Sequence, residues 1–398
     1  MKSKNLHLSL LMFFQLAAVG TYIPVISIYF KDYLGFSAIQ AGIILSLTSL
    51  PSVLAPFLSA WIVDRLITSR RFLALCHVGA AILISVLSFE KGYYPVLITY
   101  FIYTMMLVPT YALVNAVVFH YMDDRNSFGL IRVWGSIGWV VSGWLISFFW
   151  KFTNSSDMSL ALKLSALFSV IVVVLTLKLP RLKLDRDKKV TLIPHEAIDV
   201  IKKPEVTFLF ILIFIMATVD KFISYGMPMF LTSNGTPRDN VMIILSLGQF
   251  PEIIMLFVLS SFIRKLGFKN IFIIALILQI ARYTIFYING PLPLTLVGIT
   301  IHGFIYAFLY AGSTIYLDNF TDINSRGGVH QLFSLIYVGI AGFLGNLFAG
   351  YIAENVMANG NIDFKLFWGI PAVTSTVTLV ILILRMKRLD KKELLKVI

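Results

Sequence analysis

Long apolar runs recur from one end of this chain to the other, and that recurrence limits its fold more than any single motif does. A hydrocarbon layer about 30 Å thick takes roughly 20 apolar residues to cross as a helix. Runs of about that length fall at 6–30, 38–63, 72–89, 95–121, 131–150 and 158–179, then at 206–231, 240–263, 269–288, 292–317, 329–353 and 364–384. With 58% hydrophobic and 13% charged residues in 398, a soluble fold lacks the interior to hide so much apolar surface. In lipid every backbone polar group must be satisfied internally, which leaves helices as the spanning element. The sequence therefore predicts an all-α polytopic membrane protein with twelve transmembrane helices.

The charges fall between the runs. A net charge of +13 suits nucleic acid in principle, but the Lys and Arg sit where membrane orientation is set, so nucleic-acid binding is excluded. The stretch Arg181–Pro204 is too charged to span and reads as a cytoplasmic linker. It divides the chain into an N-terminal six-helix bundle (1–180), the linker (181–204) and a C-terminal six-helix bundle with a short tail (205–398). Lys2, Lys4, Arg65, Arg70 and Arg71, the linker, Arg264, Lys265, Lys269 and the tail from Arg385 gather on one side. That bias places both termini in the cytoplasm of a multi-pass protein of the cell (inner) membrane. The first run has no small-residue cleavage site and reads as a retained span. One cysteine, Cys76, rules out an intrachain disulfide and a cysteine metal cluster. Neither HExxH, GxSxG nor a Gly-rich phosphate loop occurs, so no enzyme, cofactor, metal or ATP-driven pump is expected. A membrane sensor on the same scaffold stays open.

The halves echo each other. YMDD (Tyr121–Asp124) ends the fourth run and YLDN (Tyr316–Asn319) the tenth; Gly135, Gly138 and Gly143 in the fifth answer Gly339, Gly342, Gly345 and Gly350 in the eleventh. Six plus six helices with a site between the halves is the expected plan. Polar residues inside the runs mark candidate sites, because charge at membrane depth faces a cavity or a partner. In IRVWGSIGW (131–139), Arg132, Ser136 and Trp139 share one helical face, offering a cation, a hydroxyl and an aromatic plane. An interfacial arginine with a belt tryptophan is the plain alternative. Gln249 and Glu252 stand one turn apart, suited to reading hydroxyls and ring nitrogens. Glu252 and Arg282 both fall near mid-span and are expected to pair. Asp220 and Lys221 point about 100° apart. Asn115 and His302 are further candidates for cavity or packing roles.

Several of these segments resemble the major facilitator superfamily, and within it the nucleoside–proton symporters and the related lactose permeases. The likeness rests on the acid-then-basic loop Asp64–Arg71 (with Ala60 where a glycine is usual), FFQ ending in Gln15, ALCH around Cys76 and IRVWGSIG. It also rests on SLGQFPE (Ser246–Glu252) and on the spacing from Lys265 to Arg282. The resemblance implies a secondary transporter of nucleosides, coupled to protons and working as a monomer. It implies substrate contacts from Arg132, Ser136, Trp139, Gln249, Glu252, Tyr306, Lys221, Ser224, Asn115 and Gln15. Proton coupling is assigned to Glu252, Arg282, Asp220 and His302, since Ile305 and Ala307 stand where relatives carry acids. A sugar–proton symporter and an equilibrative facilitator are the alternatives.

Overall fold

A computed structural model of the chain describes residues 3–54, 62, 66–122, 128–155, 157–180, 195–322, 325–358 and 360–385. Lys2, Ala60, Asp64, Arg65, Asp123, Asp124, the linker from Arg181 to Pro194 and the tail beyond Arg385 lie outside the described residues. Ten of the described helices have the length and apolarity to cross a membrane. One of them, Arg238–Ile288, is two spans in line, interrupted at Gly267, whose φ of 76° and ψ of 162° suit glycine. With the shorter apolar helix Ala38–Leu54 the total reaches the expected twelve.

The spanning helices are α1 Lys4–Tyr33, α2 Ala38–Leu54, α3 Ser69–Leu87, α4 Tyr93–Tyr121, α5 Phe128–Thr153 and α6 Ser159–Lys178, then α7 Pro204–Ser233, α8 238–266, α9 268–288, α10 Leu292–Asp318, α11 Arg326–Asn355 and α12 Phe364–Arg385. Their starts follow local chemistry. Ser37 and Gln40 form a reciprocal capping box that opens α2. Thr68 caps α3 by accepting from the Arg71 amide. Two features depart from an uninterrupted all-helical reading. The expected linker contains a short helix, His195–Ile201, and the turn from α11 to α12 carries a minimal antiparallel hairpin, Met357–Ala358 against Asn361–Ile362.

The chain divides into two compact units, Met1–Val190 with Pro228–Ile243, and Thr191–Met227 with Ile244–Ile398. In the first, Leu8, Leu11, Leu73, Val114, Val117, Ile131 and Val172 share one core built from α1, α3, α4, α5 and α6. α1 and α5 touch backbone to backbone. A methyl group on Gly138 would run into the Phe13 carbonyl, and one on Gly20 would meet Trp139 and Ser142. These glycines serve helix packing, as small residues do at membrane interfaces.

In the second unit the backbone breaks where two helices cross. α8 is interrupted at Leu247–Gly248, between Arg238–Ser246 and the helix that resumes at Gln249. α10 breaks at Ile301, resumes as His302–Ile305 and widens into a π-helical turn, Tyr306–Ala311. A second π-helical turn, Leu335–Ile340, lies in α11. Such interruptions inside spanning helices accompany functional sites.

Candidate functional site

The breaks in α8 and α10 face each other. A methyl on Gly248 would sit 3.1 Å from the Ile299 carbonyl and 3.6 Å from His302 Cβ, and Gly303 lies against the backbone of Pro251 and Glu252. Only residues without a side chain allow this approach, and it brings His302 of α10 to Glu252 of α8. His302 Nε2 is 3.8 Å from Glu252 Oε2. On its other side, Arg282 Nη1 lies 3.3 Å from His302 Nδ1, and Arg282 Nη2 donates to Asp220 Oδ1 at 2.6 Å. Arg282 is 1% exposed. Its guanidinium lies 5.1 Å from the Tyr283 ring centroid, and the Tyr283 hydroxyl donates to the Val219 carbonyl at 2.9 Å, pinning α9 to α7. Asp220, Arg282, His302 and Glu252 thus form a chain across four helices.

This corrects the expected pairing of Glu252 with Arg282. Arg282 belongs to Asp220, and the basic group beside Glu252 is His302. The arrangement also decides the histidine tautomer. A guanidinium only donates, so His302 Nδ1 accepts from it and the ring proton of a neutral His302 sits on Nε2, directed at Glu252.

Lys221 leaves α7 on a different side from Asp220. Its Cβ and Cγ pack where a methyl on Gly345 of α11 would stand. Among the described residues its ammonium has neither a hydrogen bond nor an ion pair. Ser224, one turn on, is exposed, whereas Gln249 is half-buried. Tyr306 follows His302 by one turn, with ring centroids 6.3 Å apart, and continues to Tyr310 at 6.0 Å and Tyr337 at 4.7 Å from Tyr310. These rings give α10 and α11 a shared aromatic wall.

In the first unit, Arg132, Ser136 and Trp139 share the expected face of α5, all half-buried. Among the described residues, Arg132 has no hydrogen bond or ion pair; its Nη1 folds back beside Gly135. Asn115 keeps a buried Oδ1 without a partner. Gln15 differs from expectation. It is 0% exposed, and both ends of its amide are engaged. Nε2 donates to Thr110 Oγ1 at 2.7 Å, Oε1 lies 2.7 Å from His77 Nε2, and Thr110 Oγ1 donates to the Leu107 carbonyl at 2.5 Å. Sequence reasoning missed His77 and Thr110 as members of this network. The available signal was polar groups at membrane depth in three neighbouring spans.

Among the described residues no cluster of His, Cys, Asp and Glu suits a metal ion. The arrangement offers hydrogen-bond donors and acceptors, aromatic faces and paired charges inside the spans.

Comparison with known proteins agrees. A family model described as nucleoside H+ symporter matches residues 1–391. The nucleoside permease NupG of Escherichia coli K12 is 24% identical over 401 residues, covering 94% of this chain and 93% of its own length. The putative nucleoside transporter YegT of the same organism is 27% identical over 381 residues, covering 90% and 88%, and its xanthosine permease 21% identical over 388, covering 91% of each. The crystal structure of the nucleoside transporter NupG superimposes with a TM-score of 0.88 at 21% identity, covering 97% of this chain and 100% of that one. A bacterial homologue of the human lysosomal transporter Spinster, in an inward-facing, unoccupied conformation, reaches 0.67 at 15% identity, covering 96% of both chains.

Proposed function

This chain belongs to the nucleoside H+ symporter family, and from that premise we propose how it moves a nucleoside together with a proton. The sugar-carrier, facilitator and sensor readings lose their ground with the family match. The two six-helix bundles, 1–180 and 205–398, joined by the linker 181–204, work by alternating access. The protein lies in the inner membrane with both termini cytoplasmic, as the Lys and Arg bias requires. It acts as a monomer, binds no nucleic acid and breaks no covalent bond.

Trp139 offers its indole to a flat base or ribose face, and Arg132 and Ser136 supply donors beside it. Gln249, Glu252, Lys221, Ser224, Tyr306 and Asn115 are the further substrate contacts of this reading. Gln15, with both amide ends occupied, sets the position of α1 and does not touch the solute.

The coupling group is Glu252, and the chain Asp220–Arg282–His302–Glu252 carries this reading. When Glu252 is ionised, the Nε2–H of His302 is drawn across the 3.8 Å gap to its carboxylate, tightening α8 on α10. When Glu252 is protonated that attraction disappears, its carboxyl becomes a donor to solute, and the crossing is free to loosen. Proton and solute then bias one two-state motion. Arg282 stays with Asp220 throughout and holds His302 in the required tautomer.

The test is uptake of radiolabelled nucleoside into proteoliposomes with the membrane voltage clamped and a proton gradient imposed. Glu252→Gln abolishes accumulation against a gradient and spares equilibrative exchange. Accumulation by the native protein that ignores collapse of the proton gradient overturns the assignment of protons.

A further inference from the structure

We infer that this carrier favours nucleosides bearing a single negative charge, and that Lys221 is the residue that compensates it. The inference rests on the reading of Glu252 as the proton carrier and extends it to the substrate's own charge.

The argument begins with Lys221 itself. Its stem is packed on Gly345, so the side chain leaves α7 in a defined direction. Among the described residues its ammonium has no hydrogen bond and no ion pair. The neighbouring carboxylate of Asp220 interacts with it electrostatically, but the close contact of Asp220 is with Arg282, at 2.6 Å. A partly buried ammonium whose only charged neighbour is already paired to another cation is costly, and such charges normally have a close partner of their own.

The charge balance sharpens the point. The site in the second half holds two carboxylates, Asp220 and Glu252, and two fixed cations, Arg282 and Lys221, with His302 held in its neutral form by Arg282. With Glu252 ionised the sum is zero. Once Glu252 takes up the transported proton, one positive charge is left over. Arg282 keeps Asp220, so the surplus resides on Lys221. Ser224, one turn along the same helix, is exposed. A neutral nucleoside fills the space and leaves the surplus standing. A monoanionic nucleoside removes it. The loaded site is then electrically balanced when it holds both proton and solute, and again when it holds neither.

The experiment measures equilibrium binding to the purified full-length protein, and counterflow in proteoliposomes, with three probes. Xanthosine carries an anionic base at neutral pH, inosine is its neutral counterpart, and inosine 5′-carboxylate carries the charge on the ribose. In the wild type, at least one anionic probe binds tighter than inosine by about tenfold or more, as expected for a close, poorly solvated charge pair. Which one wins tells whether Lys221 meets the base or the ribose. Lys221→Gln brings that ratio down to about one, and Lys221→Arg, which keeps the charge, retains most of it. Inosine binding as tightly as both anions in the wild type overturns the inference and leaves nucleoside transport intact. A ratio unchanged in Lys221→Gln overturns the role of Lys221. Failure of the wild type to bind any of the three overturns the nucleoside assignment itself. The wild-type comparison needs no variant, so a misfolded substitution does not shield the idea.

Discussion

The two halves of this protein handle buried polarity in opposite ways. In the first, Gln15, His77 and Thr110 form a directional hydrogen-bonded chain that ends on a backbone carbonyl, with each of the three residues 0% exposed. The chain is neutral, local and complete apart from His77 Nδ1. In the second, Asp220, Arg282, His302 and Glu252 are joined by one tight ion pair, one longer contact and one gap of 3.8 Å. A neutral network of this kind fixes helices against one another, and exchanging its partners gains nothing. In the proposed reading, the slack at one end of the charged chain lets a single proton on Glu252 select between two arrangements. In the function proposed above, one half supplies the frame and the aromatic platform, and the other supplies the switch.

Four substitutions break or sharpen that contrast. The largest effect comes from Asp220→Ala, which strands a guanidinium that is 1% exposed. Removing one partner of a buried pair costs about 3–5 kcal/mol, so thermal unfolding shifts sharply downward; an unshifted transition means the second half is not held by its charges. Trp139→Ala comes next, weakening nucleoside binding by about 1–3 kcal/mol while Trp139→Phe loses less, by analogy with base stacking on aromatic side chains. Equal affinities for wild type and both variants remove the platform from the first half. His77→Leu leaves the Gln15 carbonyl without its donor and costs about 1–3 kcal/mol of stability. The proton dependence of uptake persists in this variant, and its loss places proton chemistry in the frame as well.

The smallest effect belongs to Asp157, a charged residue of the first half outside the spans. The Tyr33 hydroxyl donates to Asp157 Oδ1 at 2.8 Å and the Ser159 amide at 2.9 Å. Partial burial pushes this carboxyl upward, but the bonds from Ser159 and Tyr33, with Lys163 nearby, outweigh it and hold it below the ordinary aspartate range. A depressed folded-state value means the stabilisation is present near neutral pH and fades as pH falls through that value. Asp157→Asn therefore lowers the unfolding temperature slightly at neutral pH, by under about 1 kcal/mol at this exposed site, and the difference from wild type vanishes in acid. A difference that grows in acid contradicts the assignment.

Span number and the shared face of Arg132, Ser136 and Trp139 were legible in the sequence because hydropathy and helical period are local properties. The partner of Arg282 was not. Glu252 and Asp220 are both intramembrane acids, and choosing between them depends on how far each helix is turned about its axis at the crossing. That rotation is set by the breaks at Gly248 and Ile301, which the sequence announces only as one glycine among many and an ordinary isoleucine. The partners of Gln15 were not legible for a related reason. An amide near mid-span looks the same whether it faces a cavity or two neighbouring helices, and the two groups that engage it lie 62 and 95 residues away.

The wide turn Tyr306–Ala311 bears on how such chains are compared with their kin. A π-helical turn takes in one residue more than an α-helical turn over the same arc, so the compass bearing of every later side chain is advanced by about 100° relative to an unbroken helix. Counting along α10 from His302 gives correct bearings as far as Ile305 and false ones afterwards. Two relatives with identical letters from Gly312 to Asp318 but different turns upstream present those letters to different neighbours. Excising a single residue from 306–311 re-aims Ser313 and Asp318 together without altering the chemistry of either. On this helix, evolution has a dial as well as an alphabet.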